Sequence, residues 1–144
     1  MTFELNIPIA GDAPFGIYLK DDKATYRTLR NAFNAAQASF RGLSETPESL
    51  INRDLQGANA AAWSSLREGC ERTLAETSKD LEVICWWVAA MLHGDNPLEN
   101  TSKALQALAD YVGSNLDHLQ PILPEMKLKG ETSEAQGAEI AELK

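Results

Sequence analysis

Apolar residues recur at helical spacing along most of this chain. Tyr26, Leu29, Phe33, Ala36 and Phe40 follow one another at intervals of three and four, the stripe of a helix expected over 22–42. Asp21 or Asp22 supplies its cap, and Gly42 suits the left-handed stop after its last turn. Thr46-Pro47 signals a restart, which predicts a short helix over 47–56 with Leu50, Ile51 and Leu55 inward and Gly57 as its end. Trp63, Leu66, Cys70 and Leu74 mark one face of a helix over about 59–76, with Arg67, Glu68, Glu71 and Arg72 mostly turned to solvent. From Val83 to Leu92 no residue is charged. A helix that is apolar all round must be wrapped by others or inserted in a membrane, and this run is about half the roughly 20 residues a bilayer needs. Thr77 is expected to cap this central helix, with Asp80 three residues on as a variant capping box and Gly94 as the stop. Asn96-Pro97-Leu98-Glu99 opens a last helix, whose stripe reads Leu98, Thr101, Leu105, Leu108, Val112, Asn115 and Leu119 before Pro121.

The two ends of the chain break this pattern. Pro8, Gly11, Pro14 and Gly16 fall within nine positions, a density of breakers that forbids a regular helix. Residues 1–22 are therefore expected to form an extended arm, with Phe3, Leu5, Ile7, Ile9, Phe15 and Ile17 partly alternating. Beyond Pro124 the chain turns polar, and Ala138, Ile140, Ala141 and Leu143 follow. Residues 125–144 thus read as a linker and the start of a further helix in a longer protein. The expected fold is all-α: a compact bundle of about five helices over 23–124, around the central apolar helix, with the arm packed on it.

Composition narrows the function. With 144 residues, 44% of them apolar and 24% charged, the chain can bury one real core. A net charge of −8 argues against nucleic acid or an anionic membrane as partner, since phosphate attraction needs a basic surface. The start, Met-Thr-Phe-Glu-Leu-Asn, lacks the pattern of a signal peptide, which makes a cytoplasmic location the expectation. Cys70 and Cys85 lack ligand spacing, and both are expected on apolar helix faces as inert thiols.

Little in the sequence points to chemistry. Neither His93 nor His118 has a second histidine or a cysteine three or four residues on, so no metal or cofactor site is expected. The Gly11-to-Gly16 run lacks the lysine and hydroxyl of a phosphate loop and reads as a tight turn. Two pairs leave alternatives open. At Lys79-Asp80, either the aspartate caps a helix above a solvated lysine, or one of the two is drawn inward to pair with a charge on a neighbouring helix. At Trp86-Trp87, successive indoles point about 100° apart and must face different neighbours: both pack in the core, or one anchors a partner.

Four blocks appear together and in order: Ile9-Ala-Gly11-Asp12-Ala-Pro14-Phe-Gly16, then Trp63, then Ser78-Lys79-Asp80-Leu81-Glu-Val83, then Leu116-Asp117-His-Leu-Gln-Pro121. In this the chain resembles the ImpA N-terminal domain of TssA-like proteins of bacterial type VI secretion systems, the TssA/TagA group. Pro14-Phe15-Gly16-Ile17-Tyr18-Leu19-Lys20, with Leu29-Arg30-Asn31 and Phe33-Asn34, is most similar to the Vibrio/Aeromonas-type branch. The resemblance spans roughly residues 6–124. It departs from many relatives at Phe15, where they have cysteine, and at Leu116, where they have tryptophan. It implies a structural role for the signature residues Gly11, Asp12, Pro14, Gly16, Trp63, Ser78, Lys79, Asp80, Leu81, Asp117 and Pro121, with no catalytic, cofactor or metal site. It also implies a non-enzymatic assembly factor that binds baseplate, tube or sheath proteins, coordinates or terminates sheath–tube assembly, and oligomerises through a C-terminal region. A second expectation is a small-ligand or effector-binding helical domain, with a pocket lined by its tryptophans.

Overall fold

A computed structural model describes residues 3–121, and the expected linker at 125–144 lies outside them. Among the described residues the fold is all-α, with four helices: α1 (Lys23–Glu45), α2 (Arg53–Glu76), α3 (Leu81–Met91) and α4 (Pro97–Ser114). Short 3₁₀ turns at Leu19–Asp21, Pro47–Leu50 and Leu116–His118 flank them. The helices run up, down, up and down. Tyr26, Phe33 and Phe40 of α1 meet Glu82, Trp86 and, just past the end of α3, His93 in turn, so α1 and α3 run parallel. Trp63 and Glu71 of α2 meet His93 and Trp87, the opposite order.

Helix α3 is the post that its apolar run foretold. Val83, Ile84, Trp86, Trp87, Ala90 and Met91 are buried, with α2 and α4 against it. The tryptophans do face different neighbours. Trp86 stacks on Phe33, with ring centroids 5.2 Å apart, while Trp87 meets the edge of Phe3 and donates from Nε1 to Glu71 at 3.2 Å. Both belong to the core.

Four helices rather than five result because the chain from 47 to 76 is divided differently. Pro47–Leu50 is only a 3₁₀ turn, and the Asn52 side chain accepts from the N–H groups of Asp54 and Leu55, both at 3.1 Å. That cap starts one long helix, which passes through Gly57 without stopping. Leu50 and Ile51, expected inward, are 87% and 83% exposed. Gly42 is likewise inside α1, because the Thr46 hydroxyl donates back to the Gly42 carbonyl at 2.6 Å and serves the helix end in place of a glycine stop.

Two more expectations need correction. Thr77 ends α2 and does not start α3; the N-cap of α3 is Asp80, whose carboxylate accepts from the Glu82 N–H at 2.8 Å. In α4 the buried positions are Ala104 and Tyr111, with Ala107 and Leu108 beside them, while Leu98 and Leu105 face outward. The inward face keeps Leu108 and Val112 of the expected stripe and is completed by Ala104, Ala107 and Tyr111. The helix also ends at Ser114, leaving Leu119 and Gln120 to be buried from irregular chain.

Candidate functional site

The signature residues gather mostly at one end of the bundle, where three stretches distant in sequence meet: the arm, the α2–α3 junction and the segment after α4. The arm enters through a turn in which Ile9 N–H donates to the Pro14 carbonyl at 3.0 Å and Gly16 N–H to Ala13 at 2.9 Å. Gly11 and Gly16 both hold positive φ, at 109° and 79°. At Gly16 a side chain is impossible on two counts. Besides that backbone, an added Cβ would sit 2.2 Å from the Thr77 carbonyl oxygen. The arm can therefore lie directly on the α2–α3 junction, with Gly16 opposite Ser78 in an isolated antiparallel bridge.

Ser78, Lys79 and Asp80 are all buried, at 0%, 1% and 2% exposure. Each is held by a different partner. Ser78 Oγ donates to the Ile17 carbonyl at 2.7 Å; Lys79 Nζ donates to the Leu5 carbonyl at 2.8 Å; Asp80 caps α3. Backbone bonds run alongside, from Lys79 N–H to Phe15 and from Ile17 N–H to Thr77. From the other side, Leu81 N–H donates to the Gln120 carbonyl at 3.0 Å, and Gln120 Nε2 reaches across to the Gly16 carbonyl at 3.1 Å. Gln120 thus ties all three stretches together. We term this arrangement the clasp.

Both sequence alternatives for Lys79-Asp80 prove half right. The aspartate is the cap, and the lysine is drawn inward, but to a backbone carbonyl rather than an opposite charge. The two ion pairs among the described residues are Arg67–Glu71 and Lys103–Glu99. Burial pushes the Lys79 ammonium down to about 8. Burial also raises Asp80, against the lowering effect of the Glu82 and Val83 N–H groups.

The remaining signature residues are placed less tightly. Asp12, Pro14 and Asp117 are exposed, and Pro121 is half-buried beside Leu81. Trp63 lies well away from the clasp, near the other end. It stacks face to face on His93, with centroids 4.0 Å apart, and its Nε1 donates to Asn59 at 3.1 Å. Phe40 closes on the other edge of the His93 ring, and burial lowers the pKa of His93. Sequence reasoning missed Asn59, although its i,i+4 spacing from Trp63 was a usable signal. It also missed Gln120 as a tie, for which no local pattern exists.

The groups that could have built a catalytic centre are separated by this layout. Asp80 and His118 are at the clasp end, where His118 stacks on Phe15, while His93 is at the far end of α3. Among the described residues no group of His, Cys, Asp or Glu could hold a metal ion. The cysteines differ from each other: Cys70 is buried and pushed up to about 12 by burial, whereas Cys85 is exposed, contrary to expectation. Among the described residues no helix is long and apolar enough to cross a membrane.

The class that fold and clasp define is a small helical bundle fastened by its own signature residues. Residues 7–142 match the family model for ImpA, N-terminal, type VI secretion system. The chain belongs to that family, and its role lies in type VI secretion. No curated protein and no solved structure matches it.

Proposed function

We propose that this domain is a non-enzymatic interaction module of a TssA-like component. It would act in the cytoplasm, binding baseplate, tube or sheath proteins while its parent protein, as an oligomer, coordinates or terminates sheath–tube assembly. The observation that carries this reading is the division of the molecule into two ends. The charged signature side chains Lys79 and Asp80 are engaged inside the clasp, in structural bonds. At the opposite end, the α1–α2 and α3–α4 connections and the first turn of α4 carry Leu50, Ile51, Leu92 and Leu98, exposed by 87%, 83%, 52% and 81%, more on average than Ile7, Ile17 and Leu116 at the clasp end. Exposed aliphatic side chains on surface turns are what a protein partner can cover, and covering them gives affinity without disturbing the core.

Crosslinking of the parent protein to baseplate, tube and sheath components, with and without Leu50→Asp and Ile51→Asp together, tests this. Loss of one crosslinked partner in a variant that still folds is the expected result. Undiminished crosslinking to every partner would move the binding surface elsewhere, and normal sheath assembly after deletion of the whole domain would end the reading.

A further inference from the structure

Behind the clasp lies a small cavity of about 60 Å³, bordered by Leu5, Pro14, Phe15, Lys79, Tyr111 and Asn115 among others. Two of these residues bring polar groups that the fold leaves underused. Lys79 is 1% exposed, and its ammonium, with three donors, makes one hydrogen bond among the described residues, to Leu5, and lies 5.7 Å from the centre of the Phe3 ring. Tyr111 is 2% exposed, and its hydroxyl has no hydrogen-bond partner among the described residues. Among the described residues no acidic side chain borders the cavity. A buried cation without a counter-charge is costly, and so is a buried hydroxyl without a partner.

We propose that this cavity is a binding site for a small monovalent anion of about the size of chloride, held by Lys79 Nζ and the Tyr111 hydroxyl. One ligand then answers both deficits. Water would satisfy the donors but bring no negative charge to the ammonium, which otherwise has the weaker attraction of the Phe3 ring. The volume of about 60 Å³ is ample for one halide, since a water's share of liquid is about 30 Å³. Both donors are in the required state near neutral pH: the lysine keeps its proton below about 8, and burial pushes the Tyr111 phenol up to about 12. The site is built from the arm, Lys79 and α4, so an anion there would fasten the clasp. It does not depend on which partner the domain binds.

The 144-residue chain should melt about 3 °C higher in half-molar sodium chloride or bromide than in sodium gluconate of equal ionic strength. Tyr111→Phe, which removes only the hydroxyl, should at least halve that difference, and Lys79→Met should abolish it. Crystals grown in bromide should show anomalous scattering between Lys79 and Tyr111. If Lys79→Met does not fold, Tyr111→Phe and the bromide crystals decide the matter. Equal melting in the two salts, an unchanged halide response in Tyr111→Phe, or water in the cavity of bromide crystals would each overturn the proposal.

Discussion

The two ends of this bundle differ in what holds them, although both expose aliphatic side chains, Ile7, Ile17 and Leu116 among them at the clasp end. At the clasp end, three buried polar side chains are matched to backbone groups from other segments: Ser78 to Ile17, Lys79 to Leu5, Gln120 to Gly16. At the loop end, aliphatic side chains stand in solvent on short connections, and the helix ends are served locally, by Thr46 on Gly42 and by Asn52 on its own first turn. Substitutions at the clasp end should therefore affect folding, and those at the loop end should affect association. Buried polar groups make a site sensitive because losing one partner strands the other.

The largest effect is expected at Gly16. Gly16→Ala combines a strained backbone with a collision against Thr77, and should cost about 3–5 kcal/mol by urea unfolding. Gly11→Ala shares the positive φ but meets nothing within 4 Å, so about 1–2 kcal/mol is expected. Equal losses at the two glycines would show that close packing on Thr77 is not what holds the arm. Next comes Ser78→Ala, which leaves the Ile17 carbonyl without its buried donor and should cost about 1–3 kcal/mol.

Lys79 sharpens the contrast through pH. Its folded value of about 8 lies below the ordinary lysine value near 10.4, so between them the unfolded chain holds more protons. Stability from this group should therefore rise with pH across that window, by at most about 1.4 kcal/mol per pH unit, and be flat below it. The neutral amine still donates to Leu5. Unfolding curves of the wild type and Lys79→Met in chloride-free buffer check this, and parallel pH profiles would count against a buried lysine. The smallest effect on stability belongs to the loop end. Leu50→Asp with Ile51→Asp should change unfolding free energy by no more than about 0.5 kcal/mol, and a larger loss would mean those side chains are packed rather than offered to a partner.

Legibility in the sequence followed the same division. Helix existence was readable wherever an apolar stripe was strong, as in α1, in the Trp63–Leu74 face of α2 and in α3. Helix ends were not, because a side-chain cap can replace the expected signal. Thr46 made Gly42 unnecessary as a stop, and Asn52 outcompeted Thr46-Pro47 as a start. In α4 the expected stripe held at Leu108 and Val112 but not at Leu98 and Leu105, and it passed over Ala104 and Tyr111, which are the buried positions. The signature blocks located the clasp without explaining it, as nothing local links Gln120 to Gly16 or Lys79 to Leu5.

The sequence by itself determined the all-α class, the apolar post and the family, because periodicity and ordered motifs are properties of the chain. Only the tertiary structure decided that Lys79 is buried against a carbonyl, that three remote segments lock one end, and that Leu50 and Ile51 face outward. Those outcomes depend on which polar groups find partners once the helices have packed, and the partners lie as many as 104 residues apart in the chain.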